Sequence, residues 1–218
     1  MGRPPRRLLD RETIVRAGLD LVDEHGTEAL TVNRVAAALG VKGPSLYAYI
    51  TGRDDLVEGI RDRIVAEMRL DLTIDSWTAT LEAWAHAYRD AFAAHPRALP
   101  LLAVRTVRSP TALEAYAAAF DRLRAAGWPE DRLLPLVWAV EYFVIGSVLA
   151  PGPPSAPSAA TADGPDPPSG LEPLLDAGPE HRELAFTSGL SALIHGFSTE
   201  LTELTEATEL TEATEATD

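Results

Sequence analysis

Side chains that can bond an anion are concentrated between residues 31 and 53 of this 218-residue chain, a segment without a single acidic residue. They include Thr31, Asn33, Arg34, Lys42, Ser45, Tyr47, Tyr49 and Arg53. Guanidinium, ammonium, amide and hydroxyl groups are the side chains that bind phosphate oxygens in complexes with nucleic acids. The segment therefore predicts a surface that binds phosphate rather than a catalytic centre.

A net charge of −14 is unfavourable for binding phosphate, but the charges are unevenly distributed along the chain. Residues 1–69 carry eleven basic and eleven acidic side chains, so residues 70–218 carry the whole negative excess. Residues 1–9 hold three arginines and no acid. We therefore expect a basic N-terminal arm over residues 1–9 and a local basic face on a chain that is acidic elsewhere.

Capping residues indicate the helices that must position these side chains. Asp10 is suited to the N-cap of a first helix, which Gly26 ends. Thr31 caps a short second helix, and Pro44 suits the first turn of a third helix because its missing N–H needs no partner there. Short helices around a tight turn predict a helix-turn-helix domain over residues 10–53.

The rest of the chain predicts helices and no strand, so the expected fold is all-α, with a small N-terminal domain and a larger C-terminal domain. Apolar residues at intervals of four predict a connecting helix over residues 54–69. Residues 151–170, rich in proline and serine, predict a flexible loop. Breaks at proline and glycine divide the remainder into helices near 76–94, 98–108, 110–126, 130–149 and 179–197.

Residues 199–218 repeat the triplet Thr, Glu, then Leu or Ala. A period of three advances roughly 300° around a helix, so neither the acids nor the leucines stay on one face. The segment supplies six Glu and one Asp, which is half of the net negative charge. We expect a frayed or disordered acidic tail, solvated and without a specific partner.

Residue identities within the helix-turn-helix are more specific than its spacing. The chain resembles the tetracycline-repressor (TetR) family at Leu39-Gly40-Val41, Pro44-Ser45-Leu46-Tyr47, Tyr49 and Arg53-Asp54-Asp55-Leu56. The resemblance covers residues 8–70, and the proline before Ser45 is similar to the tetracycline repressor subgroup. Looser similarity to that subgroup follows at His95, Gly127-Trp128 and residues 141–149.

The resemblance implies a transcriptional regulator, by the family's habit a repressor, that binds a palindromic operator as a homodimer. It implies contacts to double-stranded operator DNA from Thr31, Asn33, Arg34, Lys42, Gly43, Pro44, Ser45, Tyr47, Ala48, Tyr49 and Arg53. The hydroxyls of Ser45 and Tyr47 are suited to phosphates, and Lys42 and Arg53 flank the helix as further phosphate contacts. Lys42, Pro44 and Tyr49 are better placed for base edges or thymine methyl groups. Gly43 and Ala48 are smaller than their counterparts in tetracycline repressors, so we expect a different operator.

By the same resemblance, residues 70–198 form a ligand-binding and dimerisation domain, with helices 130–149 and 179–197 in the dimer's four-helix bundle. Its aromatic residues predict a pocket for an unidentified small, largely apolar effector. The candidate pocket residues are Trp84, Tyr88, Leu102, Arg105, Trp138 and Tyr142. Residues 100–103 lack the histidine that holds drug-bound magnesium in tetracycline repressors, so we expect neither a magnesium–tetracycline complex nor any other metal or cofactor.

An enzyme is the main alternative, but the five histidines are scattered, and no His-x-x-x-His, glycine-rich phosphate loop or Gly-x-Ser-x-Gly sequence occurs. An activator and a regulator without an effector stay open. Zero cysteines exclude disulfides, thiolate metal sites and thiol catalysis. No uninterrupted apolar run approaches the roughly 18 residues of a membrane span. We expect a cytoplasmic protein without a membrane partner.

Overall fold

A computed structural model describes residues 9–68, 76–103, 107–149 and 178–215. The regular elements in these residues are all helices, which confirms the all-α prediction. Two 3₁₀ helices, Thr27–Ala29 and Gly43–Ala48, lie on either side of α2 in the chain. The α-helices are α1 (Arg11–His25), α2 (Val32–Ala38), α3 (Arg53–Ala66), α4 (Trp77–Ala93), α5 (Leu99–Ala103), α6 (Pro110–Ala125), α7 (Glu130–Leu149) and α8 (Pro179–Glu215).

Contacts divide the described residues into two compact units. Unit 1 lies within residues 1–72 and 86–122, and unit 2 within residues 73–85 and 123–218. Helix α4 therefore begins in unit 2 and ends in unit 1. Helix α6 begins in unit 1 and ends in unit 2.

The core of unit 1 forms where α1 packs against α3. The Asp10 carboxylate accepts a hydrogen bond of 2.7 Å from the Thr13 N–H, which confirms the predicted cap of α1. The two helices approach closely because Gly59 lacks a side chain; a Cβ there would lie 2.5 Å from Cγ2 of Val15. The side chains that this contact buries are Ile14, Val15, Leu19, Val22, Leu56, Ile60 and Ile64.

An ion pair joins the first residue of α1 to the first turn of α3. The Arg11 guanidinium lies 2.6 Å from Oδ1 of Asp55 and donates a longer bond of 3.5 Å to the Tyr49 carbonyl. The second oxygen of Asp55 accepts a bond of 2.8 Å from the Thr51 N–H. The hydrogen bond from Arg11 is the main reason that the pKa of Asp55 lies below its ordinary value, and the bond from Thr51 acts in the same direction.

Unit 2 is built on the packing of α7 against α8. The rings of Phe143 and Phe186 stack at 5.5 Å between centroids, and Arg132 lies 3.3 Å from Glu200. Helix α7 is also, among the described residues, the one helix apolar and long enough to cross a membrane by length and composition. Glu141 interrupts its apolar sequence and is buried together with Leu133, Leu136, Val137, Val140 and Val144. Other apolar side chains of the helix, among them Trp138 and Tyr142, are exposed.

Helix α8 continues to Glu215, so the prediction of a helix that ends near residue 197 and a frayed tail is wrong for the described part of the tail. Glu, Leu and Ala are strong helix formers whether or not they share a face. The threonine hydroxyls are satisfied within the helix, because each donates to the carbonyl four residues earlier at 2.8–3.1 Å. These threonines are Thr199, Thr202, Thr205, Thr208, Thr211 and Thr214.

Two further expectations differ from the structure or lie outside it. The helix predicted for residues 98–108 is wrong at its C-terminal end, because residues 107–109 are not helical and Ser109 caps α6 through the Ala112 N–H. The loop predicted for residues 151–170 and nearly all of the arm predicted for residues 1–9 lie outside the described residues.

Substitution of Asp55 by Asn is expected to lower the free energy of unfolding at pH 7 by about 1–2 kcal/mol, because the side chain loses its negative charge and one of the two oxygens that accept from Arg11 and Thr51. Since folding lowers the pKa of Asp55, its stabilisation is present above the ordinary value of 3.8 and is lost as the pH falls through the folded-state value. Urea unfolding of both proteins between pH 7 and pH 3 measures this difference. A gap that stays constant down to pH 3 would contradict the ion pair.

Candidate nucleic-acid interface

Helix α2 and the 3₁₀ helix Gly43–Ala48 form a helix-turn-helix. Helix α2 is capped at its N-terminus, and each element buries apolar side chains on its inner side. The Thr31 hydroxyl accepts a bond of 3.3 Å from the Arg34 N–H and so caps α2, as predicted. Helix α2 buries Val35 and Ala36. The second element is a six-residue 3₁₀ helix rather than an α-helix, and it is fixed by the buried Leu46 and by Ile50 just beyond its end.

The side chains that the sequence selected for DNA contacts lie on the outer surface of this motif. Tyr47 is 60% exposed and Tyr49 is 42% exposed, so neither ring is packed in the core. These values favour a role in binding, because an exposed tyrosine that adds nothing to the core still offers a hydroxyl to a partner. The exposed set is Thr31, Asn33, Arg34, Lys42, Pro44, Ser45, Tyr47, Ala48 and Tyr49.

Two of the predicted contact residues are less exposed. Arg53 is half-buried, and its guanidinium donates to the carbonyls of Leu30 at 3.0 Å and Thr27 at 3.5 Å. Its side chain thus fixes the loop before α2, and its phosphate contact stays a prediction. Gly43 is also half-buried, beside the side chain of Asn33.

The predicted effector residues are distributed over both units. In unit 1, Tyr88 is buried and stacks on Phe92 at 4.5 Å, and Leu102 is buried in α5. In unit 2, Trp84 is half-buried.

Trp138 and Tyr142, also in unit 2, stack at 6.2 Å but are 42% and 63% exposed. Arg105 lies outside the described residues. Two clefts of about 630 and 620 Å³ in unit 1 are lined by none of the six candidates, and no group of metal-ligating side chains occurs in the part of the chain that the structure describes.

Helix α3 carries a polar cluster that the sequence analysis missed. Arg61, which is buried, donates a bond of 2.9 Å to the Leu102 carbonyl. Glu58 accepts from the Arg108 N–H at 3.2 Å. Asp62 accepts from the Ser109 hydroxyl and from the Thr111 N–H. We call Glu58, Arg61 and Asp62 the α3 joint; their i, i+3, i+4 spacing is the signal that places them on one side of the helix.

A second polar contact joins the end of α1 to the residues after α4. His95 Nδ1 lies 2.6 Å from an oxygen of Asp23, and its Nε2 lies 3.4 Å from Glu67 at the end of α3. Arg97 donates to the carbonyls of Asp23 and Glu24 in the last turn of α1, at 2.9 and 2.6 Å. Helix α3 and the end of α1 are therefore each bonded to residues that follow α4 in unit 1.

A capped helix-turn-helix with an exposed basic and hydroxyl-bearing surface, followed by a larger set of helices, defines the class of helix-turn-helix DNA-binding regulators. Residues 14–60 match the family described as "Bacterial regulatory proteins, tetR family". Residues 71–201, more than half of the chain, match "Tetracyclin repressor-like, C-terminal domain". The chain belongs to the TetR family of transcriptional regulators, which are DNA-binding proteins.

Curated and solved relatives agree with this assignment. The chain is 29% identical over 148 residues to the HTH-type transcriptional repressor DrrR1 of Streptomyces coeruleorubidus, a match that covers 67% of this chain but only 55% of that protein. It is 27% identical to the class E tetracycline repressor of Escherichia coli, over 88% of this chain and 92% of that one. A TetR variant of Acinetobacter baumannii, solved with minocycline, superposes with a TM-score of 0.67 at 25% identity, covering 88% of this chain and 98% of that chain.

Substitution of Tyr47 by Phe is expected to weaken DNA binding about tenfold, the effect of losing one hydrogen bond to a charged phosphate. The melting temperature is expected to stay unchanged because the ring is exposed. Fluorescence anisotropy at fixed salt measures the first quantity and calorimetry the second. In contrast, Leu46→Ala removes a fully buried anchor and is expected to cost about 2–5 kcal/mol of stability. Unchanged affinity of the Tyr47→Phe protein would contradict the assignment of this surface.

Proposed function

We propose that the protein is a homodimeric, ligand-responsive repressor that binds a palindromic operator. The observation that carries this proposal is the exposed surface of the helix-turn-helix, where hydroxyl and basic side chains surround a short element anchored by Leu46 and Ile50. Two such surfaces in a dimer would read half-sites about 34–36 Å apart, which is one turn of DNA. The site of action is the cytoplasm, where bacterial DNA lies.

The contacts divide by chemistry. Arg34, Ser45 and Tyr47 are exposed donors suited to phosphate oxygens, which fix the register but do not read sequence. Lys42, Pro44 and Tyr49 stand at or beside the 3₁₀ helix and are suited to base edges or thymine methyl groups. Ala48 can offer DNA only a methyl group. Thr31 caps α2 and is also exposed, so it can contact DNA as well.

The homodimer is supported by an uncovered apolar stripe on α7. Leu134, Trp138 and Tyr142 follow each other at intervals of four and are all exposed, and Leu149 is exposed at the end of the helix. Helix α8 presents small exposed residues at Ser188, Ala192 and Gly196, also at intervals of four. Large side chains on one helix and small ones on its neighbour suit a four-helix bundle with a second copy, in which Trp138 and Tyr142 would be covered.

The proposed effector is a small, largely apolar molecule and not a magnesium–tetracycline complex. Helix α5 offers leucine and alanine side chains at positions 101–103, none of which binds a metal ion, and Leu102 is buried. Tyr88 and Leu102, both buried in unit 1, are the candidate ligand contacts that we keep, whereas Trp138 and Tyr142 are assigned to the dimer contact. The relative solved with minocycline illustrates a ligand of that protein only.

The α3 joint supports a route for the response to the effector. Helix α3 directly follows the helix-turn-helix, and its joint bonds residues 102, 108, 109 and 111. A ligand that moves α5 or the start of α6 would pull α3 with it and change the separation of the two DNA-binding surfaces. The ligand must bind the released state more tightly than the DNA-bound state for this shift to occur.

Selection of genomic fragments by the purified protein at a stated salt concentration, followed by footprinting, tests the proposed function. We expect a palindromic site with half-sites about one helical turn apart, and a dimer by light scattering. Trp138→Glu places a charge on the exposed stripe and is expected to give a folded monomer that loses the palindrome. No enrichment above non-specific DNA would refute the repressor, and a site that recruits polymerase rather than blocking it would make the protein an activator.

Coupling through the α3 joint is reciprocal, so operator DNA is expected to slow hydrogen exchange of the amides of Arg108, Ser109 and Thr111. The expected slowing is roughly tenfold, within the usual range of coupling between sites. Asp62→Ala removes the acceptor for Ser109 and Thr111 and is expected to abolish the slowing, whereas Glu114→Gln, exposed on α6, is expected to preserve it. Equal protection in the Asp62→Ala protein would rule out this route.

A further inference from the structure

Gly43 occupies the first position of the 3₁₀ helix, and its backbone does not require a glycine. It is not among the glycines with positive φ, which are Gly26, Gly40, Gly52 and Gly127. Glycine in a helix is less favourable than alanine by roughly 0.5–1 kcal/mol. The backbone conformation of Gly43 would therefore accept other residues. The atoms around Gly43 show what a side chain at this position would meet.

The neighbour is the side-chain amide of Asn33. A Cβ on Gly43 would lie 2.7 Å from Oδ1 of Asn33 and 3.9 Å from its Cγ, so the amide occupies the space that a side chain at position 43 would fill. Asn33 itself is exposed in the first turn of α2. The absent side chain of Gly43 thus makes room for an amide that belongs to the other helix of the motif.

The place of this amide on the motif determines what it can read. In a helix-turn-helix, the N-terminal residues of the second helix contact base edges in the major groove. Gly43 stands at that end and contributes no side chain, and the Asn33 amide lies over it. A carboxamide accepts one hydrogen bond and donates another, which matches N6–H and N7 of adenine in the major groove. Phosphate contacts are already assigned to the exposed donors Arg34, Ser45 and Tyr47.

We propose that Asn33 reads an adenine in each half-site and that Gly43 sets specificity by leaving room for the Asn33 amide. This inference rests on the proposed function and adds the identity of one base. A methyl group at position 43 displaces only the end of a flexible side chain, so Gly43→Ala is expected to move the amide without unfolding the motif. Gly43 therefore acts as a positioning residue, and Asn33 makes the base contact.

Binding-site selection from a randomised duplex pool with the full chain tests the proposal. The variants are Gly43→Ala, Asn33→Ala and the double variant, with Ser45→Ala as the control for a phosphate contact. The wild type is expected to prefer adenine about tenfold at one symmetric position, and all three variants to lose that preference. The double variant is expected to lose no more than either single variant, because both changes remove one interaction. Ser45→Ala is expected to weaken all sequences alike and to keep the adenine preference.

Three results would overturn the proposal. In the first, Gly43→Ala keeps the adenine preference of the wild type. In the second, Asn33→Ala weakens binding to every sequence equally, which is the behaviour of a phosphate contact that reads no base. In the third, the position is enriched in another base. Each of these leaves a protein that still selects an operator, so failure here is distinct from failure of the proposed function, in which the wild type selects no site at all.

Discussion

The proposed DNA-binding surface depends on the burial of Leu46 and Ile50, because a six-residue 3₁₀ helix cannot hold its own conformation in water. Both side chains are almost inaccessible to solvent, and their burial turns the residues between and before them outward. Tyr47 and Ser45 are therefore exposed as a consequence of packing, not of their own preferences. Loss of the packing of Leu46 and Ile50 would therefore also disrupt this surface.

Helix α3 is the element that connects this surface to the rest of unit 1. At its first residues, Arg53 bonds the loop before α2 and Asp55 pairs with Arg11. From its middle, the α3 joint bonds α5 and the residues around the start of α6. The first turn of this fourteen-residue helix is thus bonded to the loop before α2 and to α1, and its middle is bonded to α5 and to the residues around the start of α6.

Local signals in the sequence were sufficient for the parts of the fold that depend on neighbouring residues. The caps Asp10 and Thr31 each form the bond that their residue type predicts. The burial of Arg61 and the contact of Gly43 with Asn33 could not be predicted, because each depends on which helices pack together. The length of α8 was missed for a different reason: amphipathic periodicity indicates which helices pack, and it does not measure the helix propensity of Glu, Leu and Ala in a segment without an apolar face.

The extension of α8 beyond Glu200 has a consequence for the physical state of the molecule. Glu203, Glu206 and Glu209 are exposed at intervals of three, close enough for their charges to repel, and no basic residue occupies the last turn. Counterions screen repulsion between surface charges over a Debye length of about 8 Å at physiological ionic strength. Backbone hydrogen bonds hold the extension together, and salt weakens the repulsion between its glutamates. We therefore expect the extension to be more fully helical, and the hydrodynamic radius of the protein to change, as the ionic strength rises.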